Sequence, residues 1–145
     1  MRLWLAAATL GLALPALAQD VTPPEAGPLA PADDPALTAE EFDALTQGKT
    51  WDTHDAISGL YGVETFLPNR RVVWRDAEGC MNGTWKQVED QICFTYDKGQ
   101  NNPVCWTYHD RGDWIEGFFR GDRGTVPIML YSGGDPVSCQ EYLGT

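Results

Sequence analysis

Two cysteines that face each other across a predicted β-hairpin constrain the fold of this chain more than any other feature of its sequence. Gln91–Asp97 and Val104–Tyr108 each alternate apolar and polar residues, as strands with one buried face do. Placing Cys93 opposite Cys105 also pairs the apolar residues, Ile92 with Trp106 and Phe94 with Val104. A slip of one residue would break both alignments, so the pattern predicts a single register.

The same register predicts how the four cysteines pair. Directly opposed residues of a non-hydrogen-bonded strand pair lie close enough for a disulfide. In the loop-entropy model, a closure this short contributes about 3 kcal/mol to stability. We therefore predict a Cys93–Cys105 disulfide, which leaves Cys80 to pair with Cys139. Four cysteines permit three connectivities, and a linked peptide containing Cys80 and Cys93 would contradict this one.

The N-terminus has the three parts of a secretory signal peptide. A positive start at Met1-Arg2 precedes an apolar run from Leu3 to Leu14, and Ala16-Leu17-Ala18 fits a cleavage site. We predict that residues 1–18 are removed and that the protein is exported to the periplasm or the medium. Residues 19–37 are rich in Pro and Ala and are interpreted as a flexible linker. Residues 38–145 form the predicted disulfide-stapled domain.

The charge of the chain limits its partners. The formal net charge is −11, and loss of Arg2 with the signal peptide makes it −12, from nine Lys and Arg against 21 Asp and Glu. This acidity argues against nucleic acid and against anionic membrane surfaces, which require clustered Lys and Arg. It is compatible with a basic protein or with cations, or it serves only to keep a secreted protein soluble.

One helix is predicted at the start of the domain. Thr38 and Glu41 have the spacing of a capping box, and Leu37 and Phe42 are placed for a hydrophobic staple. Gly48 is a suitable C-terminal stop, which predicts a helix of about ten residues.

After Lys49 the apolar period changes to two, with turn residues between the runs. The predicted strands are Thr50–His54, Tyr61–Leu67, Arg71–Asp76, Thr84–Val88, Gln91–Asp97, Val104–Tyr108, Trp114–Phe119 and Thr125–Tyr131. Pro127 marks the last of them as an edge strand or a bulge. Short successive strands without long crossovers favour an up-and-down meander. The predicted fold is mainly β: a small antiparallel barrel or half-barrel with one N-terminal helix.

Few residues form a constellation that could carry chemistry. Asp52, His54 and Asp55 could serve a metal, but a polar strand end facing water explains them better. His109 and Asp110 resemble a base and its orienting carboxylate, yet adjacent strand residues face opposite ways. No serine lies in a nucleophile elbow. We therefore predict no catalytic residue, no metal site and no cofactor.

Several short motifs resemble a group of small exported alphaproteobacterial proteins. The shared pattern is G-x-W, then [IL]-C-F-x-Y, then C-W, matched here by Gly83-Thr-Trp85, Ile92-Cys-Phe-Thr-Tyr96 and Cys105-Trp106. Leu45-Thr-Gln-Gly-Lys-Thr50, Tyr61-Gly-Val-Glu64 and Leu67-Pro68 also look like that group, so the resemblance covers Leu37 to Phe119. The group has no assigned function, so the resemblance implies no catalytic residues. In architecture alone, the plan is similar to lipocalin-like barrels, including bacterial inhibitors of secreted proteases.

These features favour a non-catalytic binding module whose partner is a protein, as for an inhibitor, or a small apolar ligand held in the barrel. Four tryptophans would line the ligand site or fill the core: Trp74, Trp85, Trp106 and Trp114. One alternative is an envelope structural or interaction protein. The other is a small hydrolase or metal-dependent enzyme that uses His54 and His109.

Overall fold

The computed structural model describes residues 34–98 and 103–139, which form a closed antiparallel barrel and one helix. The elements are α1 (Ala39–Thr46), β1 (Thr50–Asp55), β2 (Gly59–Leu67), β3 (Arg71–Asp76), β4 (Gly79–Val88), β5 (Gln91–Tyr96), β6 (Val104–Asp110), β7 (Ile115–Phe119) and β8 (Ile128–Ser132). Each strand pairs with the next, and β8 returns to pair with β1. The predicted meander is confirmed, and the pairing of β8 with β1 makes it a barrel rather than a half-barrel.

The hairpin of β5 and β6 has the predicted register. Cys93 lies opposite Cys105 with 4.0 Å between their Cα atoms, and the two form a disulfide. Ile92 faces Trp106, and Phe94 faces Val104. Cys80 and Cys139 form the second disulfide, so the predicted connectivity is confirmed.

Helix α1 begins where its cap predicts. The Thr38 amide donates to Glu41 Oε2 at 2.8 Å, and the Glu41 amide donates to Thr38 Oγ1 at 3.3 Å, which completes the capping box. The helix ends at Thr46, two residues before Gly48, whose φ of 75° is accessible to glycine at little cost. The helix therefore has 8 residues, slightly fewer than predicted.

The inward face of α1 closes one end of the barrel. Phe42 is completely buried, and its ring stacks on Tyr108 with 4.7 Å between centroids. It also meets three more aromatic rings edge-on, those of Phe66, Trp85 and Phe94. Burial of a phenylalanine among aromatic rings stabilises through both apolar area and ring geometry.

The described ends of the chain both pack against the barrel. The predicted signal peptide lies outside the described residues, and so do residues 19–33 of the predicted linker and residues 140–145. Residues 34–37 lie against β6, where the Leu37 amide donates to the Tyr108 carbonyl at 2.7 Å. On another face, Val137 packs with Val73 and Cys80, and its amide donates to Thr65 Oγ1 at 2.8 Å.

Two predicted strand boundaries were wrong by three residues or more, and the other boundaries agree within two residues. β4 begins at Gly79 rather than Thr84, because the Asp76 carboxylate accepts the amides of Glu78 and Gly79 and turns the chain at once. β8 begins at Ile128 rather than Thr125, because the Thr125 amide is used in a turn with the Asp122 carbonyl. Within residues 34–98 and 103–139, no helix is long and apolar enough to cross a membrane.

Candidate ligand site in the barrel interior

The barrel holds a cavity of about 230 Å³ on the side of the core opposite helix α1. Phe94 and Tyr108 separate the cavity from helix α1, since each lines the cavity and also contacts Phe42 of the helix. The other lining residues are Thr53, Tyr61, Trp74, Asp76, Glu78, Met81, Tyr96, Lys98, Val104, Trp106 and Ile128. The walls are thus dominated by aromatic rings, and the charged side chains come from the ends of strands.

Three glycines within strands make room for three of these rings. A Cβ atom at any of them would come within 3.0 Å of the ring it faces. The pairs are Gly62 with Trp74, Gly83 with Tyr96, and Gly117 with Tyr108. Glycine inside a strand often marks such a close approach, so the sequence carries a signal for these positions. The glycines therefore shape the cavity by allowing its rings to lie flat against neighbouring backbone.

Trp74 is held by contacts on two sides. Its Nε1 donates to Asp76 Oδ2 at 2.8 Å, and its ring meets that of Tyr61 at 5.5 Å between centroids. A wall whose rings are fixed in this way can bind a ligand without first losing side-chain freedom.

The four predicted tryptophans occupy three different environments. Trp74 and Trp106 line the cavity. Trp85 belongs to the core and meets Phe42 edge-on at 5.3 Å. Trp114 lies just before β7 and stacks on the exposed Tyr131 ring at 6.2 Å, away from the cavity lining.

A buried carboxyl group lies beside this wall. Glu64 is only 5% exposed, and it faces Trp51 and Trp74 in the strand register. Its Oε1 accepts a hydrogen bond of 2.7 Å from the hydroxyl of the cavity-lining Tyr96. Burial raises the pKa of the Glu64 carboxyl to about 8, although the Tyr96 hydrogen bond acts to lower it. Strand alternation could have identified Glu64, because Phe66 on the same face is a core residue.

Tyrosine hydroxyls and one indole complete the polar part of the interior. Burial, followed by the negative charge of Glu64, raises the pKa values of Tyr96 and Tyr108 well above their ordinary value. Both side chains therefore stay neutral and can donate hydrogen bonds at physiological pH. The Trp51 Nε1, also buried, has no hydrogen-bond partner among the described residues.

The open end of the cavity carries two carboxylates, one ammonium group and an apolar rim. Asp76 and Glu78 provide the carboxylates, and the Lys98 ammonium donates to the Cys80 carbonyl at 3.3 Å. Burial, then the charges of Asp76, Glu78 and Asp55, raises the pKa of Tyr61, which places its hydroxyl among acidic groups. Beside the opening, the side chains of Ile57 and Val126 line a shallow groove and are exposed.

The two histidines of the alternative enzyme hypothesis lie on different strands. His54 pairs with Met129, Met129 with Glu116, and Glu116 with His109, so three strand spacings separate them. At about 4.8 Å per spacing, the path between them along the sheet is roughly 14 Å. The two side chains also have different neighbours, Asp34 for His109 and Tyr131 for His54. Among the residues that the structure describes, no three His, Cys, Asp or Glu side chains are grouped so as to hold a metal ion.

His109 belongs instead to an ionic cluster that fastens the N-terminal segment. Its Nδ1 lies 3.2 Å from Asp34 Oδ2, and the same oxygen accepts a 2.6 Å hydrogen bond from Arg111. Burial lowers the pKa of His109, and Asp34 opposes this effect. Burial would raise the pKa of Asp34, but the hydrogen bond and charge of Arg111 hold it below its usual value.

Comparison of the chain with family models, with curated proteins and with solved structures finds no match.

Proposed function

We propose that this protein is an exported, non-catalytic binding module that holds a small, largely apolar molecule inside its barrel. The observation that carries the proposal is the cavity of about 230 Å³ with walls of aromatic rings. Ligand sites are typically concave and lined by apolar and aromatic side chains, with few polar groups. The volume is below the roughly 300–1,000 Å³ of typical ligand pockets, which favours a ligand about the size of one substituted aromatic ring.

Tryptophan fluorescence offers a direct test, because Trp74 and Trp106 line the cavity while Trp114 does not. Titration with 2-phenylethanol, a neutral probe of suitable size, should change the emission of the wild-type protein. Trp114→Phe should leave that response intact, and Trp106→Phe should reduce it.

A matched pair of variants locates the binding. Val104 lines the cavity, whereas Val88 is exposed at the end of β4 and lies outside the lining. Val104→Phe should fill part of the cavity and abolish binding, and Val88→Phe should bind as the wild type does. Equal binding by both variants, or no binding of any small apolar probe to the wild type, would reject the proposal.

Export is a second part of the proposal. It is supported by the residue order at positions 1–18 and by two disulfides, which persist in oxidising compartments. Mass spectrometry of protein recovered from the periplasm or medium should find Gln19 at the N-terminus. An intact Met1 in the cell interior would contradict it.

A protein partner bound at the open end is the second candidate, as in an inhibitor-like module. The observation in its favour is the exposed apolar rim, where Ile57 is 83% exposed and Val126 is 47% exposed. Apolar side chains around an opening are also expected where an apolar ligand enters. Ile57→Ser with Val126→Ser should abolish complex formation with a protein partner and leave 2-phenylethanol binding nearly unchanged.

A further inference from the structure

We propose that the bound molecule is a small amine in its protonated form, with its apolar part against the aromatic rings and Glu64 as its counter-charge. This inference rests on the proposed function, since it names the chemical class of the ligand that the cavity accepts.

The first argument is the position of Glu64. A carboxyl group buried to 95% is costly to keep in an apolar interior unless it is paired. No Lys or Arg in the described part of the chain forms an ion pair with it. Its one described hydrogen bond, from Tyr96, leaves much of the accepting capacity of a carboxylate unused. Glu64 lies behind the cavity-lining Tyr96, so an ammonium group on the Tyr96 side of the cavity would stabilise the ionised form of Glu64.

The second argument is the chemistry of the wall. The faces of aromatic rings attract ammonium groups, and proteins bind alkylated ammonium ligands in cages of such rings. Three rings provide this wall near the open end: those of Tyr61, Trp74 and Trp106. The same rings bury the apolar part of an aryl or alkyl amine, so one surface serves both parts of the ligand.

The third argument is the sign of the charge at the opening. Asp76 and Glu78 contribute two carboxylates against the single ammonium of Lys98. The mature chain carries −12, from nine Lys and Arg against 21 Asp and Glu, so its overall field also repels anions. An anionic ligand would enter against both, whereas a cation would be attracted first by the opening and then by Glu64.

The proton balance of binding follows from the groups around Glu64. Below about pH 8 the empty site holds the Glu64 proton, and an entering ammonium favours the carboxylate, so that proton passes to solvent. The other groups facing this region are the tyrosines 61, 96 and 108, with raised pKa values, and the charged Asp76, Glu78 and Lys98. We therefore expect amine affinity to rise from pH 6 to pH 8, with release of close to one proton per bound amine at pH 6.

Three probes of equal size and different charge test the proposal: phenethylamine, 2-phenylethanol and phenylacetate. We expect calorimetry at pH 8 to show phenethylamine binding at least tenfold more tightly than 2-phenylethanol, and phenylacetate most weakly. Glu64→Gln should lower the affinity for phenethylamine by tenfold or more and change the affinity for 2-phenylethanol by less than threefold. Near-ultraviolet circular dichroism verifies that this variant keeps its aromatic packing.

Surface variants keep the test independent of the buried position. Glu78→Gln removes an exposed carboxylate at the opening and should weaken phenethylamine binding about threefold, an effect that salt screens. Glu40→Gln removes the same charge from helix α1 at the closed end and should have no effect.

The outcomes separate this inference from the proposed function. Equal affinity for phenethylamine and 2-phenylethanol, or equal weakening of both by Glu64→Gln, would reject an amine as the ligand. The proposal of an apolar binding site would be unaffected. If phenylacetate bound most tightly, that result would also reject an amine as the ligand. If none of the three probes binds the wild type, the proposed function itself fails.

Discussion

The hydroxyl of Tyr96 donates a 2.7 Å hydrogen bond to Oε1 of Glu64 and joins two strands that are not neighbours in the barrel. Tyr96 ends β5, and Glu64 lies in β2 with β3 and β4 between them. The bond therefore crosses the interior rather than running along the sheet. It fixes one aromatic ring of the cavity wall and gives the buried carboxyl its described partner.

Glu64 should make the stability of the domain depend on pH. Between pH 4.5 and about 8, the folded chain keeps a proton that the unfolded chain releases, so the free energy of unfolding falls as pH rises. Glu64→Gln should remove this slope. The free energy of unfolding of the variant, relative to that of the wild type, should rise by about 3–5 kcal/mol between pH 4.5 and pH 8. Urea denaturation at several pH values provides the measurement, and parallel profiles for both proteins would contradict it.

The glycine that faces Trp74 should not tolerate a methyl group. A Cβ at Gly62 would lie within 3.0 Å of the Trp74 ring, which is also held by Asp76. Overpacking of this kind costs about 1–3 kcal/mol, so Gly62→Ala should lower the free energy of unfolding by that amount and impair probe binding. In a Trp74→Val background, the same substitution should cost at least about 1 kcal/mol less, because the clashing ring is gone. Equal costs in both backgrounds would show that the ring is not the cause.

The two disulfides should contribute unequally. Cys80–Cys139 spans 59 residues and Cys93–Cys105 spans 12. The loop-entropy model assigns about 4 kcal/mol to the first and about 3 kcal/mol to the second. Replacing Cys80 and Cys139 by Ala should therefore destabilise more, and it should also release Val137 from the outer face of the barrel. Chemical denaturation of the two double variants compares them, and a larger loss for the Cys93 and Cys105 variant would reverse the prediction.

His109 should make the domain sensitive to acid. Burial lowers its pKa in the folded chain, so below the unfolded value of about 6.5 the unfolded chain binds a proton more readily. The stability present above this pH is lost as the pH falls towards the folded pKa. His109→Gln should flatten that loss, and thermal unfolding between pH 5 and pH 7.5 would detect it. His54→Gln, which removes the other histidine, is the matched control, and the same flattening in both variants would refute the assignment.

Local patterns predicted the elements of this fold well. The cap of α1 depends on residues three apart, and the β5–β6 register depends on two strands joined by a short connection. The predicted order of eight strands is confirmed, because the turn residues lie next to the strands that they separate. β4 was predicted five residues too short, because small and polar residues around Asn82 conceal its alternation.

The candidate site was predicted much less well, because it is made of contacts between distant residues. Trp74 and Trp106 were named among four tryptophans, but the sequence did not distinguish them from Trp85 and Trp114. Glu64 was not predicted as a site residue, because its hydrogen-bond partner Tyr96 lies 32 positions away and no local pattern connects the two.

The amino-acid sequence by itself determined the strand order, the disulfide pairing and the helix that precedes the barrel, because period, spacing and capping act over short stretches of chain. Only the tertiary structure decided that β8 closes on β1, that Phe42 fills one end and that the other end holds a cavity. Closure of a barrel depends on the combined tilt and register of all its strands, and the space left inside depends on how rings from different strands meet. Pairs of residues from different strands shape that space. Gly62 makes room for the Trp74 ring, and Tyr96 donates a hydrogen bond to Glu64 across the interior.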